Sequence, residues 1–141
     1  MTTKVTVYLN EAAVSFFGFK PFKPEKAALR KAISFELDRD IRFASAHGKK
    51  ATNEDIARVL DIVYIQLNVG GDIYPHTTWS QSYRDLGNRS LSLGDVVHLD
   101  GGGFFVVSRF GFKEIMAGVG GAHRVRKAQE RYAAEFGTVQ S

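Results

Sequence analysis

The sequence predicts an α+β fold, in which a small antiparallel β-sheet or partial barrel is packed by one long buried helix, a short helix and a C-terminal amphipathic helix. Alternating apolar and polar residues in the N-terminal part predict strands, and apolar residues at helical spacing after residue 52 predict the long helix. Short apolar runs between glycine and aspartate turns predict hairpins after residue 88. With 141 residues, of which 44% are hydrophobic, the chain can fill one core.

Four strands are expected from the sequence. Alternation with a period of two predicts strands over Lys4–Leu9 and Leu29–Leu37, in which Lys31 is the exception on the apolar side. Two further apolar runs, at 96–99 and 104–110, flank a loose glycine turn and predict a hairpin.

Two helices are expected in the middle of the chain. Apolar residues at spacings of three and four predict the long helix, which starts after Thr52 and ends near Asn68, with Ile65 widening its buried face. The short helix is predicted over Trp79–Leu86, with Thr78 as its N-cap.

The C-terminal region is expected to differ from the rest in organisation. The glycines of 118–121 predict a flexible joint, and apolar spacing predicts an amphipathic helix over Val125–Phe136. We therefore expect one α+β domain over 1–117, followed over 118–141 by the joint, the helix and a loose end.

The composition excludes several classes of function. The chain has no cysteine, which excludes disulfides, thiolate zinc sites and a thiol nucleophile, and favours a reducing cytoplasm. No two of its four histidines have metal-ligand spacing, so we expect neither a metal nor a cofactor. No apolar run has the length of a membrane span. Because no catalytic motif stands out, we expect a protein that is not an enzyme.

A phenylalanine-rich segment leaves three interpretations open. Its rings could close the edge of the core, bind a partner or a second copy, or stack on nucleic-acid bases. The candidate partner-binding residues of this segment are Phe16, Phe17, Phe19, Phe22, Lys20 and Lys23.

Two basic clusters, at 20–31 and 124–131, give the chain much of its net charge of +4. Such clusters are either solvated surfaces or sites that bind phosphate groups. The candidate nucleic-acid-binding residues are Lys26, Arg30 and Lys31 in the first cluster, and Arg124, Arg126, Lys127 and Arg131 in the second.

Gly94 and Asp95 form a turn for which we expect a structural role. Glycine adopts positive φ without a Cβ clash, and aspartate accepts hydrogen bonds from nearby backbone N–H groups. On this interpretation Gly94→Val is costly and Asp95→Asn is nearly neutral. A third hypothesis, an enzyme acting on a small molecule, requires a pocket lined by His76, Asp95 or His98, although His98 is expected to be a solvated ring on a strand.

The segment around this turn resembles a known sequence type. The run from Tyr83 to Leu99 is similar to the small YodL-like domains of bacteria, phages and mobile elements, particularly those of actinobacteria and their phages. The resemblance covers about residues 3–115, and its most specific part contains Asn88, Arg89, Ser90, Gly94 and Asp95.

The resemblance implies a function but no catalytic residues. It implies a small accessory protein, encoded by a phage or mobile element, that binds a host protein and modulates or inhibits it. The alternative is a module that binds DNA or RNA through the two basic clusters. A homo-oligomer formed through the phenylalanine-rich segment or the C-terminal helix is a separate expectation.

Overall fold

The structure is a computed structural model, which describes residues 3–15, 18–19, 22–23, 26–37, 53–68, 77–100, 103–108, 111–115 and 119–137. In chain order, its elements are β1 (Thr3–Asn10), a 3-10 turn (Glu11–Ala13), β2 (Val14–Ser15), β3 (Gly18–Phe19), β4 (Leu29–Leu37), α1 (Asn53–Gln66), α2 (Thr78–Asp85), β5 (Val96–Leu99), β6 (Gly103–Ser108), β7 (Gly111–Glu114) and α3 (Val119–Phe136).

Five strands form one antiparallel sheet in the order β4-β1-β5-β6-β7, and β2 pairs with β3 as a separate ribbon. This confirms the predicted α+β class. The predicted N-terminal strands correspond to β1 and β4, and the predicted hairpin corresponds to β5 and β6. The sequence analysis missed β7, which extends the sheet beyond β6.

Helices cover both faces of the sheet. The first face packs against α1 and α2, and its fully buried residues include Val7, Leu9, Val63, Tyr83 and Leu99. The opposite face packs against α3 and is built from Ala27, Leu29, Val96, Val106, Ile115, Val125 and Ala128. We call these the α1 face and the α3 face.

A β-bulge in β4 explains the exceptional position of Lys31. Val7 pairs with Ile33, but the next residue, Tyr8, pairs with Lys31, so Ala32 is the extra residue. The bulge reverses the side-chain alternation along β4. Lys31 therefore shares a face with its partner Tyr8, which packs on the α3 face, rather than with Ile33 on the α1 face.

The structure corrects two predicted helix starts. The N-cap of α2 is Thr77 and not Thr78, because the Thr77 hydroxyl accepts the backbone N–H of Ser80 and forms a reciprocal capping box with it. The predicted joint is also wrong where it is described, since α3 begins at Val119 and includes Gly120 and Gly121. Gly121 is buried, so packing outweighs the low helix propensity of glycine.

Candidate functional site

The hydrogen bonds of the predicted turn centre on Asp95, whose side chain has no solvent exposure. Its Oδ2 accepts hydrogen bonds from Arg89 Nη1 at 2.6 Å and from the Ser92 backbone N–H at 2.7 Å. Its Oδ1 accepts from Arg89 Nη2 and from the backbone N–H of Asn10, each at 2.8 Å. The carboxylate therefore has four donors, which compensate for its removal from water.

Gly94 gives this turn its shape. Its φ of +91° lies in the region that favours glycine, as the sequence predicts. The backbone N–H of Gly94 donates to the carbonyl of Val107 at 3.0 Å, and the Val107 N–H donates to the carbonyl of Asp95 at 2.9 Å. These two hydrogen bonds join the turn to β6 and place the Asp95 carboxylate next to the Arg89 guanidinium.

The Arg89 guanidinium also binds two backbone carbonyls, those of Ser90 at 3.2 Å and Asn10 at 3.3 Å. The carbonyl of Arg89 itself accepts the phenolic O–H of Tyr83 from α2. Burial raises the pKa of Tyr83, and the Asp95 charge raises it further, so the phenol stays protonated and acts as a donor.

Asn88 connects the motif to the N-terminal strands. Its amide nitrogen donates to the Tyr83 carbonyl at 3.1 Å, and its Oδ1 accepts from Arg30 Nη2 at 3.1 Å. The Nε of Arg30 lies 3.4 Å from Glu11 Oε1. Arg30, a candidate nucleic-acid-binding residue, is therefore held in a hydrogen-bonded cluster on the α1 side of β4.

Burial raises the pKa of the Asp95 carboxyl above its usual value, while the hydrogen bonds from Arg89, Asn10 and Ser92 act in the opposite direction. For Arg89, burial acts to lower the pKa, but the hydrogen bond and charge of Asp95 outweigh it, so the pKa is raised. With four donors around the carboxylate, we interpret the pair as ionised at neutral pH.

The arrangement stabilises the fold rather than presenting a reactive group. The predicted hydrogen bond between Asp95 and a turn N–H is confirmed by the bond from Ser92. The structure revises the expectation that Asp95→Asn is nearly neutral, because Arg89 binds both carboxylate oxygens and would lose the charge that compensates it. The candidate motif residues Asn88, Arg89 and Asp95 thus belong to one cluster with Asn10 and Tyr83, which the sequence analysis did not single out.

His98 is not the solvated ring that the sequence predicts. It is half-buried on the α3 face and stacks on Phe104, with ring centroids 4.0 Å apart and an interplanar angle of 12°. Burial lowers the pKa of His98, and the nearby Asp100 partly opposes this. His76, the other histidine of the small-molecule hypothesis, lies outside the described residues.

Among the described residues, no group of three His, Asp or Glu side chains is placed to hold a metal ion. In the same part of the chain, no helix combines the length and the apolar character needed to cross a membrane.

The phenylalanine-rich segment is described only in part. Phe22 is half-buried and packs on the α3 face, and Lys23 is exposed. The backbone of Phe19 belongs to β3. The candidate residues Phe16, Phe17 and Lys20 lie outside the described residues. Phe22 therefore contributes to the core in the way that the edge-closing interpretation expects.

The two basic clusters meet on the α3 face. Arg131 Nη1 donates to the carbonyl of Ala27 at 2.8 Å, and Ala27 packs with Ala128 in the same apolar cluster. Three candidates of the second cluster lie nearby on α3: Arg124 is partly exposed, while Arg126 and Lys127 are exposed. Lys23, Lys26 and Lys31 of the first cluster are also exposed.

An exposed apolar patch lies on the opposite helix layer, and the sequence analysis missed it. Tyr64 is 41% exposed and Ile65 is 49% exposed, both on the outer side of α1. The Tyr64 ring packs edge-to-face on Phe112 of β7, with centroids 6.2 Å apart. We call Tyr64, Ile65 and Phe112 the α1–β7 patch. The prediction that Ile65 widens the buried face of this helix is wrong, because Ile65 lies outside the spacing of the buried residues Val59, Val63 and Leu67.

Comparisons with protein-family models, with curated proteins and with solved structures found no match.

Proposed function

We propose that the chain is a non-enzymatic accessory protein that acts by binding a host protein, as the YodL-like resemblance implies. The observation that carries the proposal is the complete burial of Asp95 in a hydrogen-bonded cluster. The most distinctive residues of the motif are thereby used to hold the fold together. Because the motif residues are used in this way, we place the partner-binding site elsewhere, on the outer surface of the fold.

The α1–β7 patch is the surface that best fits a protein partner. An apolar centre with a tyrosine is typical of the core of protein–protein interfaces. Arg58 and Asp61 of α1 are also exposed and supply charges of both signs on the same helix. The neighbouring edge strand, β7, has only four residues and carries exposed Lys113 and Glu114. Such strands resist pairing with a second copy, so the expected occupant is a different protein.

The proposal is tested by affinity purification from an actinobacterial lysate with three versions of the chain. These are the wild type, the patch variant Tyr64→Ser/Ile65→Ser and the control variant Leu86→Ser/Phe136→Ser. The control removes two side chains that are more exposed, at 66% and 52%, from the C-cap of α2 and from the end of α3.

We expect a stoichiometric protein that the wild type and the control retain and the patch variant loses. Calorimetry with the purified partner should then show the same order of affinities. Recovery of no stoichiometric protein, or of one that all three versions retain equally, contradicts the proposal. Recovery of a second copy of the chain through the patch also contradicts it, because it makes the surface an oligomer contact.

A further inference from the structure

The α3 face brings together basic residues that are far apart in the sequence. Ala27 and Leu29, which lie within the first cluster, pack with Val125 and Ala128 of α3. The hydrogen bond from Arg131 to the Ala27 carbonyl holds α3 in this position. Folding therefore converts two separate basic segments into one surface.

The bulge in β4 brings Lys31 to this surface. Without the extra residue Ala32, the alternation along β4 would place Lys31 with Ile33, on the face that α1 and α2 cover. With it, Lys31 lies opposite Tyr8, whose ring packs on the α3 face. A lysine on the covered face would lose its contact with water, which costs free energy. The bulge places Lys31 on the other face and so avoids that cost.

The cations of the two clusters differ in what they contact. Arg131 binds the Ala27 carbonyl and holds α3 in place, and Arg30 binds Asn88 on the α1 side of β4, away from this surface. Arg126 is exposed but contacts His123 of its own helix, with Nη2 3.1 Å from Nδ1. The cations left for the surface are Lys26, Lys31 and Lys127, which are exposed, and Arg124, which is partly exposed.

The helix α3 also carries two exposed acidic residues, Glu130 and Glu135. Lys127 Nζ lies 3.5 Å from Glu130 Oε2, and both side chains are more than half exposed. An exposed pair of this kind contributes little to stability, and the lysine exchanges readily to another anion.

We propose that this basic surface, defined as Lys26, Lys31, Arg124 and Lys127, binds the phosphate backbone of a nucleic acid. Four cations, supplied by the turn before β4, by β4 and by α3, match a row of phosphates better than a single anion. Contacts of this kind recognise phosphates and not bases, so binding is independent of sequence. The surface lies on the opposite face of the sheet from α1, so it adds a second function to the proposed protein binding.

Fluorescence anisotropy tests this inference with labelled duplex DNA and a single strand of the same sequence, titrated at several salt concentrations. Two variants remove one half of the surface each: Lys26→Gln/Lys31→Gln and Arg124→Gln/Lys127→Gln. The control Arg58→Gln/Lys113→Gln removes the same charge from α1 and from the far edge strand. Circular dichroism melting verifies that each variant is folded.

We expect the wild type to bind at low salt, with an affinity that falls steeply as salt rises. Each surface variant should lose about tenfold or more in affinity and about two units of the slope of log K against log salt, while the control changes little. The duplex and the single strand distinguish which form of the phosphate backbone fits better, and binding of either supports the inference.

Three results overturn the inference. The first is the absence of binding to both nucleic acids at low salt. The second is an equal loss in the control variant, which assigns binding to net charge alone. The third is displacement of the nucleic acid by polyglutamate at equal charge concentration, which assigns the surface to an acidic protein.

Discussion

Asp95 and Arg89 form a bidentate ion pair, in which the two terminal nitrogens of the guanidinium donate to the two carboxylate oxygens at 2.6 and 2.8 Å. The same pair binds the backbone of Asn10 at the end of β1: the Asn10 N–H donates to Asp95, and the Asn10 carbonyl accepts from Arg89. The interaction therefore connects three segments: the loop after α2, the turn before β5, and β1.

Asp95→Asn should lower the free energy of unfolding by about 2–4 kcal/mol. The amide loses the charge that compensates Arg89, and its NH₂ group faces a donor whichever way it is oriented, because all four partners of Asp95 are donors. Urea denaturation measures the change. Asp100→Asn, at an exposed aspartate of the same region, is the control and should change stability by less than about 0.5 kcal/mol. Equal effects of the two substitutions would contradict the structural role of Asp95.

Gly94→Val should destabilise the protein by at least about 1–3 kcal/mol, since valine is strained at a φ of +91°. Gly87 provides a matched comparison, because its φ of +78° is similar but no atom lies within 4 Å of an added Cβ. Gly87→Asn should be tolerated, as asparagine adopts this conformation more readily than other residues. Thermal denaturation of both variants checks the prediction, and a neutral Gly94→Val shows that the turn can rearrange.

Tyr83→Phe should cost about 1–2 kcal/mol, because the phenolic O–H binds the carbonyl of Arg89 and the site is fully buried. Tyr64→Phe is the control, since Tyr64 is exposed on α1 and its ring contact with Phe112 does not need the hydroxyl. Chemical denaturation of the two variants should give a clear difference. If the two variants are equally stable, the hydrogen bond from Tyr83 contributes nothing.

His98 should make stability depend on pH below about 6.5. Burial lowers its pKa in the folded protein, so between the folded and unfolded pKa values the unfolded chain binds the extra proton. The contribution of His98 is then fully present above the unfolded pKa and is lost as pH falls through the folded pKa.

His98→Phe tests this prediction, because the ring still stacks on Phe104 but carries no proton. The difference in melting temperature between pH 7.5 and pH 5 should be smaller in this variant than in the wild type. An unchanged difference assigns the pH dependence to other groups.

The sequence predicts most of the fold because its local patterns agree with the final structure. The alternation over Leu29–Leu37 gives the bounds of β4, and the helical spacing gives α1. The bulge at Ala32 could not be predicted, since it depends on the register between β4 and β1. The sign of this bulge in the sequence is Lys31, a charged residue that interrupts the apolar alternation.

The sequence predicts the turn of the candidate site and the hydrogen bond from a turn N–H to Asp95, but not the partners of Asp95 outside the turn. The need for glycine at position 94 follows from the turn itself. The pairing of Arg89 with Asp95 depends on the path of the chain between them, and the bonds to Asn10 depend on the position of β1. Long-range contacts of this kind leave no periodic signal in one sequence.

The central position of β1 has a consequence for how the protein is made. β1 lies between β4 and β5, so it pairs on one side with a strand that is synthesised much later and is completed only at Leu99. Non-local pairing of this kind slows folding and exposes strand edges until it is complete. During synthesis, the paired strands β1 and β4 therefore keep one edge unpaired until β5 is complete. The Arg89–Asp95 pair forms only when these two strands pack against the following segment.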